Sequence, residues 1–123
     1  MLTNLLLVGT GGAIGAILRF FVSEAMPPDG FPWGTLTVNL VGSVLLGVLT
    51  AAVAVHAVSE TQALLLGVGL LGAFTTMSTF SLETAMLFDE GRWTSLFLYV
   101  LLSGVAGPLL ALAGWKGTQQ WLA

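Results

Sequence analysis

The sequence predicts an all-α integral membrane protein with four transmembrane helices, and three observations carry that prediction. Hydrophobic residues make up 56% of the 123 residues and charged ones only 7%, against roughly 25% charge in a soluble domain. The apolar residues fall into four runs, at about 2–25, 33–55, 63–88 and 92–115. At about 1.5 Å per residue each run can cross roughly 30 Å of hydrocarbon. Tryptophans mark the ends of these runs: Trp33 and Trp93 open the second and fourth, while Trp115 and Trp121 close the fourth, as aromatic anchors at both membrane faces do. No length remains for a soluble domain, so residues 1–123 read as one four-helix membrane domain.

Composition also excludes partners and chemistries. The net charge of −3 contains no basic patch that would hold nucleic acid. With no cysteine, neither a disulfide framework nor a thiolate metal site is available. No Lys or Arg precedes the apolar run in Met1 to Asn4, so the start does not resemble a cleaved signal peptide.

The first run ends at the turn-forming Pro27-Pro28-Asp29-Gly30. Within it, Gly11 and Gly15 form a GxxxG pair, and Gly12 and Ala16 repeat the small-residue spacing, which lets another backbone approach closely. Arg19 follows on the same face, a cation that needs partners at this depth; the alternative is snorkelling towards the headgroups near Glu24. The stretch GTGGAIG lacks the spacing of a dinucleotide fingerprint and follows no strand.

In the second run, Thr35, Asn39 and Gly42 share a helical face, with Ser43 beside them. Asn39 brings amide donors to membrane depth, either for a ligand or to bond a neighbouring helix. Polar residues from His56 to Gln62 close this run.

The third run holds the most unusual stretch, GAFTTMSTFSLET from Gly72 to Thr84. Hydroxyls at Thr75, Thr76, Ser78, Thr79, Ser81 and Thr84 crowd around Glu83, and such a cluster at membrane depth suggests a substrate or ion path. The competing reading is that these hydroxyls fold back onto carbonyls of their own helix. Asp89, Glu90 and Gly91 end the run. In the fourth run Tyr99, Ser103 and Gly107 form a polar stripe, which either lines a path or bonds a neighbouring helix, and Pro108 predicts a kink or a freed carbonyl near Gly104. The tail from Lys116 is expected to continue as a frayed turn.

Positive charge gives almost no orientation signal. Four spans put Lys116 on one side and Arg92 on the other, with Arg19 buried towards that second side. A chain without this bias can insert both ways round, and two opposed copies can then pair about an axis in the membrane plane, as inverted repeats do within one chain.

These stretches together resemble the Fluc fluoride channels, also called CrcB proteins. The resemblance covers nearly the whole chain and rests on GGAIGAILR from Gly11 to Arg19, GTLTVNLVGSVLLG from Gly34 to Gly47, and GAFTTMSTFSLET. It implies a channel rather than an enzyme: a multi-pass protein of the bacterial inner membrane that lets fluoride leave the cytoplasm passively. It further implies an antiparallel dual-topology homodimer with two fluoride pathways, a third helix broken at its centre, and a structural sodium ion at the dimer axis. By motif position, the carbonyls of Gly72 and Thr75 would hold sodium, while Asn39, Thr79, Phe80, Tyr99 and Ser103 would line the pathway. Met77 would share that wall, Arg19 would stand at the wide entrance and Glu83 near the polar track.

The residue chemistry fits this implication. Fluoride is strongly hydrated, and the neutral donors of Asn39, Thr79, Ser103 and Tyr99 can replace part of its water shell. The positive ring edge of Phe80 can face an anion. Two departures stand out: Met77 occupies a position where the family usually has phenylalanine, and Ala73 follows Gly72 where a second glycine is common. The alternative function is a small dual-topology proton-coupled multidrug transporter. That class needs an acid deep in the first span, whereas Glu24 lies at its end. An inert assembly subunit is the third reading, and the polar third span argues against it.

Overall fold

A computed structural model describes residues Met1–Ala123 as helices and turns, without strands. The four spans are α1 (Leu2–Ala25), α2 (Trp33–Ala54), α3 (Glu60–Asp89) and α4 (Trp93–Leu122). Only 15 of 123 residues are buried within the chain, so most apolar side chains are left to face lipid or a partner, as short membrane bundles require.

Glycines set how the helices meet. Gly11 and Gly15 bring α1 against the first half of α3, where an added Cβ would collide with the Leu65 and Leu70 carbonyl oxygens. Gly47 and Gly114 do the same for α2 and α4, against the Ala111 and Val44 carbonyl oxygens. The bundle is therefore two helix pairs, each at backbone contact. The GxxxG of α1 finds its neighbour inside the same chain, whereas Ala16 stays exposed.

Two helix ends close with Schellman geometry. At Gly91 (φ 69) the N–H groups of Gly91 and Arg92 donate to the Phe88 and Leu87 carbonyls at 3.0 and 2.9 Å. At the end of α2 the same role falls to His56 (φ 59), whose N–H reaches the Val53 carbonyl while Ala57 N–H reaches Ala52. A left-handed conformation costs a non-glycine residue about 1–2 kcal/mol, partly offset by the greater chain entropy of glycine when unfolded. His56→Gly is therefore expected to stabilise the protein by about 0.5–1 kcal/mol, read as a higher unfolding midpoint in detergent. An unchanged or lower midpoint would contradict it. A capping box at Ser59 and Gln62 starts α3 at Glu60, earlier than the expected Ala63, because hydropathy does not register polar cap residues.

The third helix is interrupted. Leu64–Leu71 forms wide π-helical turns, Gly72–Phe74 a last α turn, and Met77–Asp89 a separate second arm. Between them Thr75 (φ −90, ψ 160) and Thr76 (φ −152, ψ 126) are extended. The break thus falls at the centre of α3, as expected, while Gly72 just before it is still helical (φ −60, ψ −36). Adjacent β-branched threonines tolerate extended backbone well, and the Thr76 hydroxyl caps the second arm by accepting from Thr79 N–H. In α4, π-helical turns over Leu102–Ala106 precede Pro108, which has no N–H to offer the carbonyl of Gly104 four residues before it. The tail beyond Lys116 is not frayed: it continues as helix to Leu122, with Trp121 at its end.

Candidate functional site

The break in α3 is held open by Asn39. Its Nδ2 donates to the Thr76 carbonyl at 3.0 Å, and its Oδ1 accepts from Thr76 N–H at 2.8 Å. This two-point amide contact resembles one rung of a sheet, which suits a residue in extended conformation. It also takes Thr76 N–H away from the Gly72 carbonyl, its partner in a continuous helix. Thr79 N–H, likewise, goes to Thr76 Oγ1 at 3.2 Å rather than to the Thr75 carbonyl. Arg19 Nε donates to the Ala73 carbonyl at 3.0 Å, so this cation serves the negative end of the first arm. It turns into the bundle rather than to Glu24: the single ion pair in the chain is Arg92 with Glu90.

Next to the break lies a cavity of about 310 Å³ bordered by Asn39, Gly42, Ser43, Thr75, Thr76 and Met77 among others. The second arm begins here, and its first N–H groups and positive dipole end face the break. Met77 is 72% exposed and stands at the rim. Ser43 leaves the space largely to others, since its hydroxyl donates to the Asn39 carbonyl at 2.6 Å.

A second polar group lies further along the second arm. Tyr99 is fully buried and its OH donates to Glu83 Oε1 at 3.0 Å. Phe80 meets the Tyr99 ring edge-on, with centroids 5.0 Å apart, and Phe31 packs on the same ring at 5.8 Å. Ser103 lies in the π-helical turns of α4, and its Oγ is the one buried side-chain oxygen or nitrogen without a hydrogen-bond partner. It is not bonding a neighbouring helix.

The hydroxyl-rich stretch therefore divides. Thr75, Ser81 and Thr84 bond back to the carbonyls of Leu71, Met77 and Phe80 at 3.0, 2.9 and 2.8 Å, which is the back-bonding reading at those positions. Thr76, Ser78 and Thr79 instead cluster at the break, with Thr76 Oγ1 3.3 Å from each of the other two hydroxyls. Thr76 stands out in the sequence only as one hydroxyl of the cluster, and its roles as helix cap and partner of Asn39 emerge from the fold. The available signal was its place before an N–H-rich helix start, where threonine is a favoured cap. The chain has no grouping of three or more His, Cys, Asp or Glu that could hold a metal.

Residues 6–115 match the family described as CrcB-like protein, Camphor Resistance (CrcB). A protein of Shewanella frigidimarina named fluoride-specific ion channel FluC is 49% identical over 105 residues, covering 83% of this chain and 85% of that protein. One from Novosphingobium aromaticivorans with the same name is 45% identical over 118 residues, covering 89% and 94%.

Proposed function

The chain belongs to the CrcB family, and from that membership we propose that it is a passive fluoride-selective channel. The observation that carries this reading is the buried Ser103 hydroxyl without a partner. An unsatisfied buried donor costs about 1–3 kcal/mol, a cost that vanishes when a small anion accepts from it. The Thr76–Ser78–Thr79 cluster and the N-terminus of the second arm supply further neutral or partial positive charge, whereas the Tyr99 hydroxyl is committed to Glu83. Neutral donors bind an anion weakly and at several places, which conduction requires. The multidrug-transporter reading is not favoured: α1 carries no acid except Glu24, at its end.

A second copy completes the path in this reading. A single chain buries few of its side chains, and Met77 projects from it at the break. The copies are antiparallel, because the positive charges do not favour either orientation. Sodium fits the break: the Gly72 and Thr75 carbonyls, deprived of their helical donors by Asn39 and Thr76, are hard oxygen ligands suited to it. Two such oxygens from each chain would hold the ion and fix the broken helices together at the dimer axis.

Efflux of fluoride from liposomes, followed with a fluoride electrode, tests the function; loss of chloride at the same rate would reject selectivity. Reporter fusions to the C-terminus are expected to signal on both sides of the membrane, and signal on one side alone would reject dual topology.

A further inference from the structure

A second cavity, of about 360 Å³, opens where the α1–α2 loop meets the end of α3, and its lining includes Gly30, Pro32, Glu83, Met86, Glu90 and Arg92. Glu83 belongs both to this space and to the polar pair with Tyr99. The cavity therefore reaches the buried Tyr99–Glu83 pair. Carboxylates dominate the region: Glu83 and Glu90 line it, and Asp29 lies close enough for Arg92 to help hold its carboxyl below the usual range, after its bonds from Trp33 and Phe31. Arg92 is the single cation here. Arg19 is at the break in α3, and Lys116 lies over the Trp115 ring, 4.5 Å from its centroid, near the far end of α4.

The Arg92 guanidinium is held in place. Its backbone N–H is fixed by the Schellman turn at the end of α3. Its Nη1 donates to the Gly30 carbonyl at 2.6 Å, its Nη2 to Ser95 Oγ at 3.4 Å, and Glu90 lies 3.8 Å away. We propose that this cavity is one mouth of the anion pathway and that Arg92 sets its conduction rate, by offsetting the carboxylates that would otherwise repel fluoride. The proposal rests on the fluoride-channel reading. It assigns Arg92 a field effect: a charged rim in a narrow opening raises the local concentration of the opposite ion, and salt screens it.

Fluoride efflux from liposomes is measured at two ionic strengths set with a bulky impermeant salt, for the parent, Arg92→Gln, Arg92→Lys and Glu90→Gln. At roughly 0.01 M, Arg92→Gln is expected to slow efflux about tenfold, and at about 1 M no more than about twofold, as the screening length falls from roughly 30 to roughly 3 Å. Arg92→Lys should keep most of the rate. Glu90→Gln should raise the low-salt rate about twofold while leaving the bond to Gly30 in place, so it reads charge without disturbing the loop. Equal loss in Arg92→Gln and Arg92→Lys at both ionic strengths, with Glu90→Gln unchanged, would show that Arg92 only ties the loop and would overturn the proposal. An unaltered rate in Arg92→Gln would overturn it too. A parent protein that passes no fluoride would remove the channel reading along with it, whereas a conducting parent with salt-independent variants removes the proposal alone.

Discussion

Asn39→Ala is expected to reduce fluoride efflux by at least about tenfold while the protein still elutes as the parental assembly. The side chain makes both bonds to the Thr76 backbone, and its loss leaves a donor and an acceptor unpaired at membrane depth, each costing about 1–3 kcal/mol. The backbone has a ready alternative: Thr76 N–H can return to the Gly72 carbonyl and the helix can close. That would withdraw a carbonyl from the proposed cation site and turn the start of the second arm away from the cavity. A barrier change of about 1.4 kcal/mol is already tenfold in rate. The fold of each chain should survive, because its backbone contacts at Gly11, Gly15, Gly47 and Gly114 lie elsewhere. Asn39→Asp retains the acceptor for Thr76 N–H but loses the donor, and should also conduct poorly. Parental efflux in Asn39→Ala would show that the break stands without its clamp.

How far the sequence discloses this site depends on what each residue does. Span number and placement were legible, because burying or exposing apolar residues in lipid demands long runs that composition cannot hide. The break at the centre of the third helix was legible through the family resemblance, and it falls at Thr75 and Thr76. What stays hidden is the clamp: Asn39, distant in the chain, pairs with both the N–H and the carbonyl of Thr76. Hydroxyls look alike in sequence whether they bond their own helix, as at Ser81 and Thr84, or cap an arm, as at Thr76. The pairing of Tyr99 with Glu83 joins two helices with no shared periodicity that would announce it. His56 was read only as a loop residue, since nothing local signals that a histidine takes the place of a terminating glycine. Arg92 drew attention only as a topology charge, and its grip on Gly30 requires the loop to fold back first.

Met77→Phe is expected to change fluoride efflux by less than about threefold, and Phe80→Ile to lower it at least about tenfold, a difference that follows from where the two side chains stand. Met77 projects from the chain at the cavity rim, 72% exposed, with no aromatic pairing of its own. A flexible thioether there supplies a polarizable wall that several rotamers can complete, so a ring in its place adds little. Phe80 is held edge-on against Tyr99 at 5.0 Å, and Tyr99 in turn bonds Glu83. Removing that ring takes away a positive edge available to an anion and an aromatic contact worth about 0.5–1.5 kcal/mol, and it frees Tyr99 to move away from Glu83. Chloride efflux should stay low in the parent and in Met77→Phe, since both keep the proposed donors at Ser103 and at the break. The measurement is electrode-recorded efflux of both anions from liposomes, with each variant checked for an unchanged assembly in detergent. A parent that is inactive but rescued by Met77→Phe would show that conduction needs a ring edge at this position. Equal rates in Phe80→Ile and the parent would show that the Phe80–Tyr99 contact is packing alone.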